Sequence, residues 1–418
     1  MMPTNKGFSS TEKWLVRKVQ SSVGNPSCEI VLGGTDAAHV SGATRSMQVV
    51  VPDRRTLVKM ALDPEVAFGD AYEDGSIQLR GELVEFLETV LGSMQNTGEE
   101  TWFSRLRSRW MEWLNQNTLR GSRENIHRHY DLSNQFYRLW LDSRMLYTCA
   151  YFPTESASLE DAQLAKMDHV CRKVRLQRGE RVVDAGCGWG ALALHMARHY
   201  GVAVRAFNIS HEQIAFAREQ ARREGLDRQV EFVEDDYRNI SGKWDAFVSV
   251  GMLEHVGKAN YKELGRVIHR AIGDTGRGLV HFIGRNFPHT FSPWIQKRIF
   301  PGAHAPALSE IGGLFEPWNL SVLDVENIRM HYAKTLEHWL SRFEANAGRI
   351  SQMFDADFVR AWRLYLAGSL ASFRVGALQL FQIVFAGAQC QQIPWTRAYL
   401  YEEPLPIQRE RKWMTAAR

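Results

Sequence analysis

This 418-residue sequence has little cysteine and none at the spacings that bind metal. Its five cysteines are odd in number and scattered, at positions 28, 149, 171, 187 and 390, without a C-x-x-C pair. That distribution argues against a disulfide framework and against a zinc site. We therefore expect a reducing compartment and no bound metal.

Long apolar runs and strong net charge are also missing. No run approaches the roughly 18 apolar residues that would suggest a membrane span, and the N-terminus lacks an apolar signal core. The net charge is only +4, so no nucleic-acid partner is predicted. With 44% hydrophobic residues the chain has material for a sizeable core. We expect a cytoplasmic protein that touches membrane only peripherally.

The length suggests two or more domains. Residues 1–100 are predicted to form a small α/β domain, with strands at Cys28–Leu32 and Met47–Val51 and an amphipathic segment near Arg80–Leu91. Between them, the stretch from Asp63 to Gly75 is predicted to be rich in turns. The remaining units are a linker over 101–128, a catalytic domain over 129–400 and a tail over 401–418.

The predicted linker, residues 101–128, combines six Arg and two Glu with interspersed large apolar side chains: Trp102, Phe103, Trp110, Met111 and Trp113. Arg and Trp on one helix suit a membrane interface, where rings lie at headgroup level and guanidiniums meet lipid phosphates. A helix whose Trp residues pack on a neighbouring domain explains the composition equally well. Both interpretations stay open.

The most informative segment is a short apolar strand, Arg181–Ala185, followed by glycines at 186, 188 and 190 and a helix start. Alternate glycines let the backbone adopt conformations closed to other residues and let a ligand lie against the main chain. The helix offers free N–H groups at its first turn. Asp184 adds a carboxylate that can accept hydrogen bonds or face a cation. A nucleotide or nucleoside cofactor is predicted here.

Two cofactors fit this loop. Gly186, Gly188 and Ala191 satisfy the dinucleotide pattern G-x-G-x-x-G/A. The third glycine and Asp184 fit D-x-G-x-G-x-G better, which looks like motif I of S-adenosylmethionine-dependent methyltransferases. A nicotinamide enzyme would also carry an acid about 20 residues further on, whereas the next strand ends at Asn208. The motif favours a methyltransferase without deciding the matter.

Strands and helices alternate after residue 160, which predicts a mostly parallel sheet with helices on both faces. The predicted strands are 181–185, 202–207, 230–233, 245–251 and 278–284, with helices near 190–200, 211–224 and 259–273. Ligands in such folds lie over the carboxyl ends of the strands. The segments 186–190, 208–213, 236–237 and 251–254 all fall there.

Residues 290–395 are predicted to be long, aromatic-rich helices. Their aromatic residues either form plain core or enclose an acyl chain: Phe291, Trp294, Phe300, Trp318, Tyr332, Trp339, Phe343, Phe354, Phe358, Trp362, Tyr365, Phe373, Phe381 and Phe385.

Several blocks beyond the glycine loop match one family in the right order: 129–142, 146–152, 250–257, 299–302 and 327–339. With them the chain resembles the cyclopropane-fatty-acyl-phospholipid synthases, relatives of the mycolic acid cyclopropane synthases, from about residue 120 to 400. More weakly, residues 20–95 resemble the lipid-binding N-terminal domain of the bacterial phospholipid-acting members. The resemblance implies a class I methyltransferase fold, Rossmann-like, with a seven-stranded mostly parallel sheet and a helical aromatic-rich cap.

Members of this family add a methylene bridge across a cis double bond of an acyl chain, taking the carbon from S-adenosylmethionine, and bicarbonate serves as the base. By the resemblance, Glu254, His281 and Tyr332 hold the bicarbonate through side chains, while Cys149 and Ile283 contribute mainly main-chain contacts. Nothing in this chemistry requires a thiolate, so Cys149 is not predicted to be a nucleophile.

The resemblance also assigns the cofactor contacts. Tyr147 and Thr148 match positions at the methionine end, and the loop beneath it holds Asp184, Gly186, Cys187, Gly188 and Gly190. Asn208, Ser210 and Gln213 match the ribose and adenosine contacts, and Asp236 and Tyr237 match the adenine side. The implied partners are unsaturated phospholipids at the inner face of the cytoplasmic membrane and a second copy of the chain in a homodimer.

Two other functions stay open. A related lipid C-methyltransferase would use the same carbocation to make methyl-branched, methylene-branched or furan-precursor fatty acids. A non-catalytic lipid-binding protein would use residues 1–100 and the aromatic segment without turnover.

Overall fold

The structure, a computed structural model, describes residues 9–33, 47–95 and 133–401. The N-terminal unit has a three-stranded sheet in the order β1-β2-β3, with β1 parallel and β3 antiparallel to β2. Its strands are β1 (Glu29–Leu32), β2 (Gln48–Val51) and β3 (Gln78–Arg80), and its helices are α1 (Ser10–Ser22), α2 (Arg54–Leu62), α3 (Pro64–Glu73) and α4 (Leu83–Gln95). Both predicted strands are present. The basic aromatic segment 101–128 and the predicted tail from residue 402 onward lie outside the described residues.

The prediction of turns between Asp63 and Gly75 is wrong, because α3 occupies most of that stretch. Asp63 caps the helix by accepting a hydrogen bond from the Val66 N–H at 3.5 Å, and Pro64 takes the first helical position. Proline suits the first helical position because a backbone N–H there would have no partner within the helix, so its absence removes no helical hydrogen bond. Residues that favour turns therefore mark a helix start in this segment.

The catalytic unit is built on a seven-stranded sheet in the order β6-β5-β4-β7-β8-β10-β9. Strands β4 to β8 pair in parallel, whereas β10 runs antiparallel to both β8 and β9. The strands are β4 (Arg181–Ala185), β5 (Ala203–Asn208), β6 (Val230–Glu234), β7 (Ala246–Val250), β8 (Arg277–Gly284), β9 (Leu320–Asn327) and β10 (Gln379–Gly387). The predicted class I methyltransferase fold is confirmed, and its strand order reverses between β4 and β7.

The prediction of helices throughout 290–395 is wrong at β9 and β10. Phe381 and Phe385, assigned to a helical cap, lie on β10. Every residue of β10 is buried, so the strand lacks the alternation of apolar and polar residues that identifies a half-buried strand. A short apolar run of this kind cannot be told from a buried helix by periodicity.

Helices cover both faces of this sheet, as the alternating pattern predicts. They are α5 (Asn134–Tyr137), α6 (Leu159–Lys173), α7 (Ala191–His195), α8 (His211–Arg223), α9 (Leu253–Val256), α10 (Tyr261–Ile272), α11 (Pro293–Arg298), α12 (Gly312–Phe315), α13 (Arg329–Ala345), α14 (Ala347–Met353) and α15 (Ala356–Val375). The aromatic-rich cap consists of α13 to α15. Within the described parts of the chain, no helix combines the length and apolarity needed to cross a bilayer.

The N-terminal unit packs against the cap through α3 and α4, which contact α15, and through α3 against α11. Gly69 on α3 is required for this approach, because a Cβ there would lie 2.3 Å from the Trp294 ring. Ion pairs surround the contact, including Lys297–Asp70 at 2.7 Å and Arg374–Glu88 at 2.9 Å. The two units therefore share an interior surface.

Candidate active site

The glycine loop between β4 and α7 has three residues in the left-handed region, with φ of +86° at Gly186, +55° at Gly188 and +87° at Gly190. A Cβ at Gly186 would lie 2.9 Å from the Met252 side chain, and one at Gly190 would lie 2.6 Å from the Phe232 ring. At Gly188 no heavy atom lies within 4 Å of that position. Two glycines thus permit close packing, and the third leaves open space over the main chain.

The end of β5 holds this loop in place. The Gly186 and Cys187 N–H groups donate to the Phe207 carbonyl at 2.9 and 3.0 Å. The Asn208 amide donates to the Gly188 carbonyl at 3.3 Å and to the Gln213 side chain at 2.6 Å. The structure therefore brings the predicted cofactor residues after β4 and β5 together.

Ser210 and Gln213 begin α8. The Ser210 hydroxyl caps the helix by accepting from the Gln213 N–H at 3.4 Å. Gln213 is buried, and its side-chain nitrogen has no hydrogen-bond partner among the described residues. An unmet buried amide donor beside an open glycine backbone fits a polar nucleoside ligand.

Asp236 and Tyr237 follow β6 at the same edge of the sheet. The two Asp236 carboxylate oxygens bind the Arg238 N–H at 2.9 Å and its guanidinium at 3.1 Å. Burial raises the pKa of Tyr237 to about 12, and its hydroxyl has no hydrogen-bond partner within the described ranges. Contact of this pair with adenine stays a prediction.

Asp184 is buried beneath the loop, and the sequence analysis missed its electrostatic partner, Lys166 on α6. Burial raises the pKa of Asp184 to about 7, and Lys166 opposes the rise. Burial likewise lowers the pKa of Lys166 to about 8, opposed chiefly by Asp142. The Lys166 ammonium donates to the Thr148 hydroxyl at 2.9 Å. The signal in the sequence was a lysine on the apolar face of an amphipathic helix.

A cavity of about 1440 Å³ lies beside these strand ends, between the sheet, the cap and the N-terminal unit. All five residues predicted for the base site line it: Cys149, Glu254, His281, Ile283 and Tyr332. Tyr147 and Thr148 line it as well, and Thr148 contacts Gly251, so that a Cβ there would lie 2.9 Å from the Thr148 methyl group. The roles of these residues stay predictions, but their convergence on one cavity is a feature of the structure.

Glu254 is 8% exposed at the start of α9. One carboxylate oxygen accepts from the Ile283 N–H at 2.6 Å, and the other is buried without a hydrogen-bond partner in the described structure. Burial raises the pKa of Glu254 to about 7, although the Ile283 N–H lowers it. The side chain is therefore poised to exchange a proton near neutral pH.

His281 lies on β8, where burial holds the pKa of its imidazole well below the usual range. Its Nδ1 lies 3.0 Å from the Gln382 amide nitrogen on β10. In this orientation of the Gln382 amide, its nitrogen donates to Nδ1, and the neutral imidazole then carries its proton on Nε2, where it can donate a hydrogen bond.

The other base-site residues differ in kind. Burial raises the pKa of the Cys149 thiol far above its usual range, which agrees with the prediction that Cys149 is not a nucleophile. Tyr332 on α13 packs its ring 4.6 Å from Phe373 and 5.9 Å from Trp339. Ile283 contributes its N–H to Glu254 in this arrangement.

The aromatic residues of the cap region divide between the two interpretations given above. Some line the cavity: Phe291, Trp294, Phe300, Tyr332, Tyr365 and Phe373. Others, including Trp339, Phe343 and Phe385, are fully buried in packed core. Tyr147 joins the lining through a 2.7 Å hydrogen bond between its hydroxyl and that of Tyr365.

Comparisons with known proteins identify relatives along most of the chain. Residues 117–383 match the family described as mycolic acid cyclopropane synthetase. A probable fatty acid methyltransferase of Pseudomonas putida is 34% identical over 373 residues, covering 86% of this chain and 93% of the relative. The cyclopropane-fatty-acyl-phospholipid synthase of Escherichia coli K12 is 39% identical over 259 residues, covering 62% of this chain and 66% of that protein.

Solved structures give the same result for the catalytic unit. A cyclopropane synthase from Mycobacterium tuberculosis superposes with a TM-score of 0.60 at 27% identity, covering 63% of this chain and 98% of that one. A mycolic acid cyclopropane synthase complexed with SAH and CTAB also superposes with a TM-score of 0.60, at 29% identity, over 63% of this chain and 97% of its own.

Proposed function

The chain belongs to the mycolic acid cyclopropane synthetase family of S-adenosylmethionine-dependent methyltransferases, and we propose that it cyclopropanates unsaturated phospholipids. In this reaction a carbon from S-adenosylmethionine bridges a cis double bond of an acyl chain. One observation carries the proposal: Glu254 has an unpartnered buried oxygen and lines the same large apolar cavity as His281, beside the cofactor strand ends. The Escherichia coli relative supports the phospholipid substrate.

The strand-end loops fit S-adenosylmethionine, which supplies an electrophilic methyl group when bound. The open backbone at Gly188 and the free Gln213 donor suit a nucleoside with a flexible amino-acid arm. Thr148 accepts a hydrogen bond from Lys166, lines the cavity and contacts Gly251 at the end of β7. We propose that this arrangement holds the methyl donor against the alkene, with the cavity excluding water from the reaction.

An alkene that accepts a methyl cation becomes a carbocation, and loss of a proton from the added methyl group lets the ring close. Bicarbonate, when bound, would supply the acceptor for that proton. The free Glu254 oxygen and the His281 Nε2 proton are an acceptor and a donor suited to hold it, and Tyr332 lines the same cavity. Aromatic faces along the cavity stabilise a cation by roughly 0.5–2 kcal/mol per ring.

A second product class has its own support. The Pseudomonas putida relative matches along nearly its whole length and is described as a probable fatty acid methyltransferase. A tuberculostearic acid methyltransferase of Mycobacterium tuberculosis is 32% identical over 337 residues. Loss of a proton from a neighbouring chain carbon turns the same carbocation into a methyl-branched alkene. A hydride shift followed by loss of a methyl proton gives a methylene branch, and a saturated methyl branch needs a reductant to deliver hydride to the cation or its alkene.

The test is incubation with labelled S-adenosylmethionine and vesicles of unsaturated phospholipid, followed by mass spectrometry of the acyl chains. Cyclopropanation adds one CH₂ unit and leaves no alkene, so ozonolysis no longer cleaves the acyl chain. An added CH₂ unit with the alkene retained would establish branching instead. No incorporation, together with no heat on titration with S-adenosylmethionine, would contradict both and favour a lipid-binding protein.

Peripheral membrane association and homodimerisation are further parts of the proposal. The segment 101–128 is its proposed membrane contact, on the basis of sequence composition. Replacing Trp102, Trp110 and Trp113 by Ala should weaken vesicle flotation without changing cofactor affinity; unchanged flotation would assign the segment to a linker. Sedimentation equilibrium tests the homodimer directly, and a monomer at micromolar concentration would contradict it.

A further inference from the structure

Alternate residues of β8, of the isolated bridge at Arg285 and of the bend that follows it line one cavity. His281, Ile283, Arg285, Phe287 and His289 all line it, and the residues between them do not. This period of two is that of a strand, in which successive side chains point to opposite sides. His281 is 2% exposed and Phe287 is 61% exposed, so the track runs from the buried base site to the surface.

Arg285 lies in the middle of this track and has an unusual environment. Its N–H donates to the Pro306 carbonyl at 3.0 Å, which fixes the backbone. The guanidinium lies 5.7 Å from the centre of the Phe291 ring, and its buried Nε has no hydrogen-bond partner in the part of the chain that the structure describes. Burial lowers the pKa of Arg285 to about 10, opposed by Glu65 of the N-terminal unit.

The other cations of the cavity have carboxylate partners. Lys297 pairs with Asp70 at 2.7 Å, and Lys258 pairs with Glu310 at 2.9 Å. Arg285 makes no such pair with a described residue, and Glu65 itself accepts a hydrogen bond from the Ser292 hydroxyl. Arg285 is half-buried, but its Nε donor is buried without a partner, which is unfavourable, so this side of the guanidinium calls for an oxyanion from a ligand.

We propose that Arg285 binds the oxyanion at the head end of the lipid substrate, with the acyl chain running inward from it to the base site. This inference rests on the proposed function. Arg285 lies four residue steps beyond His281 along the strand, a span of about 13 Å, which suits a double bond near the middle of an acyl chain. A guanidinium donates in a planar fork that matches a phosphodiester or a carboxylate. Phe287 then lies where the lipid leaves the membrane.

The first test is direct binding, independent of turnover. A short-chain diacyl phosphatidylglycerol, kept below its critical micelle concentration, is titrated while tryptophan fluorescence is followed. Loss of a charge-assisted hydrogen bond predicts that Arg285→Gln weakens binding about 10-fold, whereas Arg285→Lys recovers part of the affinity. Arg223→Gln on α8, which removes an exposed guanidinium paired with Glu219, is the matched control and should change nothing.

The second test separates the two oxyanions and the two proposals. With phosphatidylglycerol vesicles, Arg285→Gln should raise KM about 10-fold and leave kcat and the S-adenosylmethionine affinity within a factor of two. If Arg285 binds the phosphodiester, Arg285→Gln does not change activity on an unsaturated free fatty acid. If Arg285 binds a carboxylate, Arg285→Gln lowers only the activity on the free fatty acid.

Equal phosphatidylglycerol binding in wild type and Arg285→Gln, together with equal KM for phosphatidylglycerol and for the free fatty acid, would overturn the inference. If the wild-type protein transfers no carbon, and Arg285→Gln still binds lipid more weakly than wild type, only the proposed function is contradicted.

Discussion

Two adjoining parts of the catalytic unit are built in different ways: the loops proposed to bind the cofactor, which form the cofactor face, and the cavity proposed to bind the lipid. The cofactor face consists of short loops that each follow one parallel strand, such as Gly186–Gly190 after β4. The cavity brings together α4 of the N-terminal unit, Cys149, Glu254 and the cap helices α13 and α15. One face is local in sequence and the other is not, and this difference decides what substitutions in each will do.

Their electrostatics differ as well. Beneath the cofactor loop, two buried acids, Asp184 and Asp142, share the buried Lys166. In the cavity, Glu254 receives a single N–H and its pKa is shifted by burial, without a cation among the causes. These environments agree with a structural role for the first group and with the base-site role proposed for Glu254.

The largest effect that this comparison predicts is on turnover in Glu254→Gln. The amide retains an oxygen for the Ile283 N–H but presents an NH₂ donor in place of the free carboxylate oxygen. It cannot accept the bicarbonate hydrogen bond, so kcat should fall at least about 100-fold. S-adenosylmethionine affinity, measured by calorimetry, should stay within twofold because the glycine loop is untouched. Unchanged turnover would show that Glu254 does not act in the base site, and the proposed distinction between the cofactor face and the cavity would be wrong.

The dependence of activity on pH is an independent test of the role proposed for Glu254. With a pKa near 7, the carboxylate is lost as the pH falls, so activity should drop about tenfold per unit below that point. Its stability effect has the opposite sign. Because the folded state holds this proton more tightly than the unfolded state, Glu254 weakens folding as pH rises from its unfolded pKa to 7. Glu254→Gln should therefore unfold in urea no earlier than wild type at pH 8.

Glycine substitutions compare two positions within the cofactor face. Gly188→Ala has room for the methyl group, so its expected defect is about 1 kcal/mol of backbone strain and a loss of cofactor affinity of about 10-fold. Gly190→Ala meets Phe232 and Ala217 at 2.6 and 2.8 Å and should mainly destabilise the fold. Calorimetry and thermal unfolding separate the two outcomes. Equal loss of stability in both variants would show that Gly188 also packs against protein.

Lys166→Met tests the structural role assigned to the buried charges. Removing the cation leaves Asp142 and Asp184 buried without it, which should cost about 3 kcal/mol of unfolding free energy in urea. Lys262→Met on the exposed side of α10 is the control, with an expected change under about 0.5 kcal/mol. Full stability together with lost methyl transfer would instead make Lys166 a positioning residue acting through Thr148.

The same contrast explains what could be predicted from sequence. Gly186 to Gly190 and the ends of β4 to β8 were predictable because strand, turn and helix follow one another within a few residues. Helix α3 was missed because Asp63 and Pro64 favour turns as well as helix starts, and β10 because uniform burial removes its periodicity. Lys166 was missed although its place on the apolar face of α6 is a signal in the sequence. Arg285 was missed because its environment comes from segments distant in sequence, which only the fold brings together.

The smallest effect concerns the contact that closes the cavity. Asp70 on α3 lies 2.7 Å from the Lys297 ammonium and 3.0 Å from the Arg298 guanidinium. Burial raises the pKa of this carboxyl, but the two cations outweigh it and leave the pKa lowered. All three side chains are at least one-third exposed, so solvent screens the pairs. Asp70→Asn should cost only about 0.2–1 kcal/mol, and less at high salt.

Urea unfolding at low and high ionic strength measures that change, and the lipid KM should move less than about twofold because the apolar packing of Gly69 on Trp294 remains. Glu344→Gln, which removes an ion pair with Arg363 within the cap, is the control for simple loss of a surface charge. A tenfold rise in lipid KM in Asp70→Asn but not in Glu344→Gln would mean that the ion pairs of Asp70 hold the N-terminal unit in place beside the cavity. Access to the cavity, and not only its chemistry, would then depend on residues distant in the sequence.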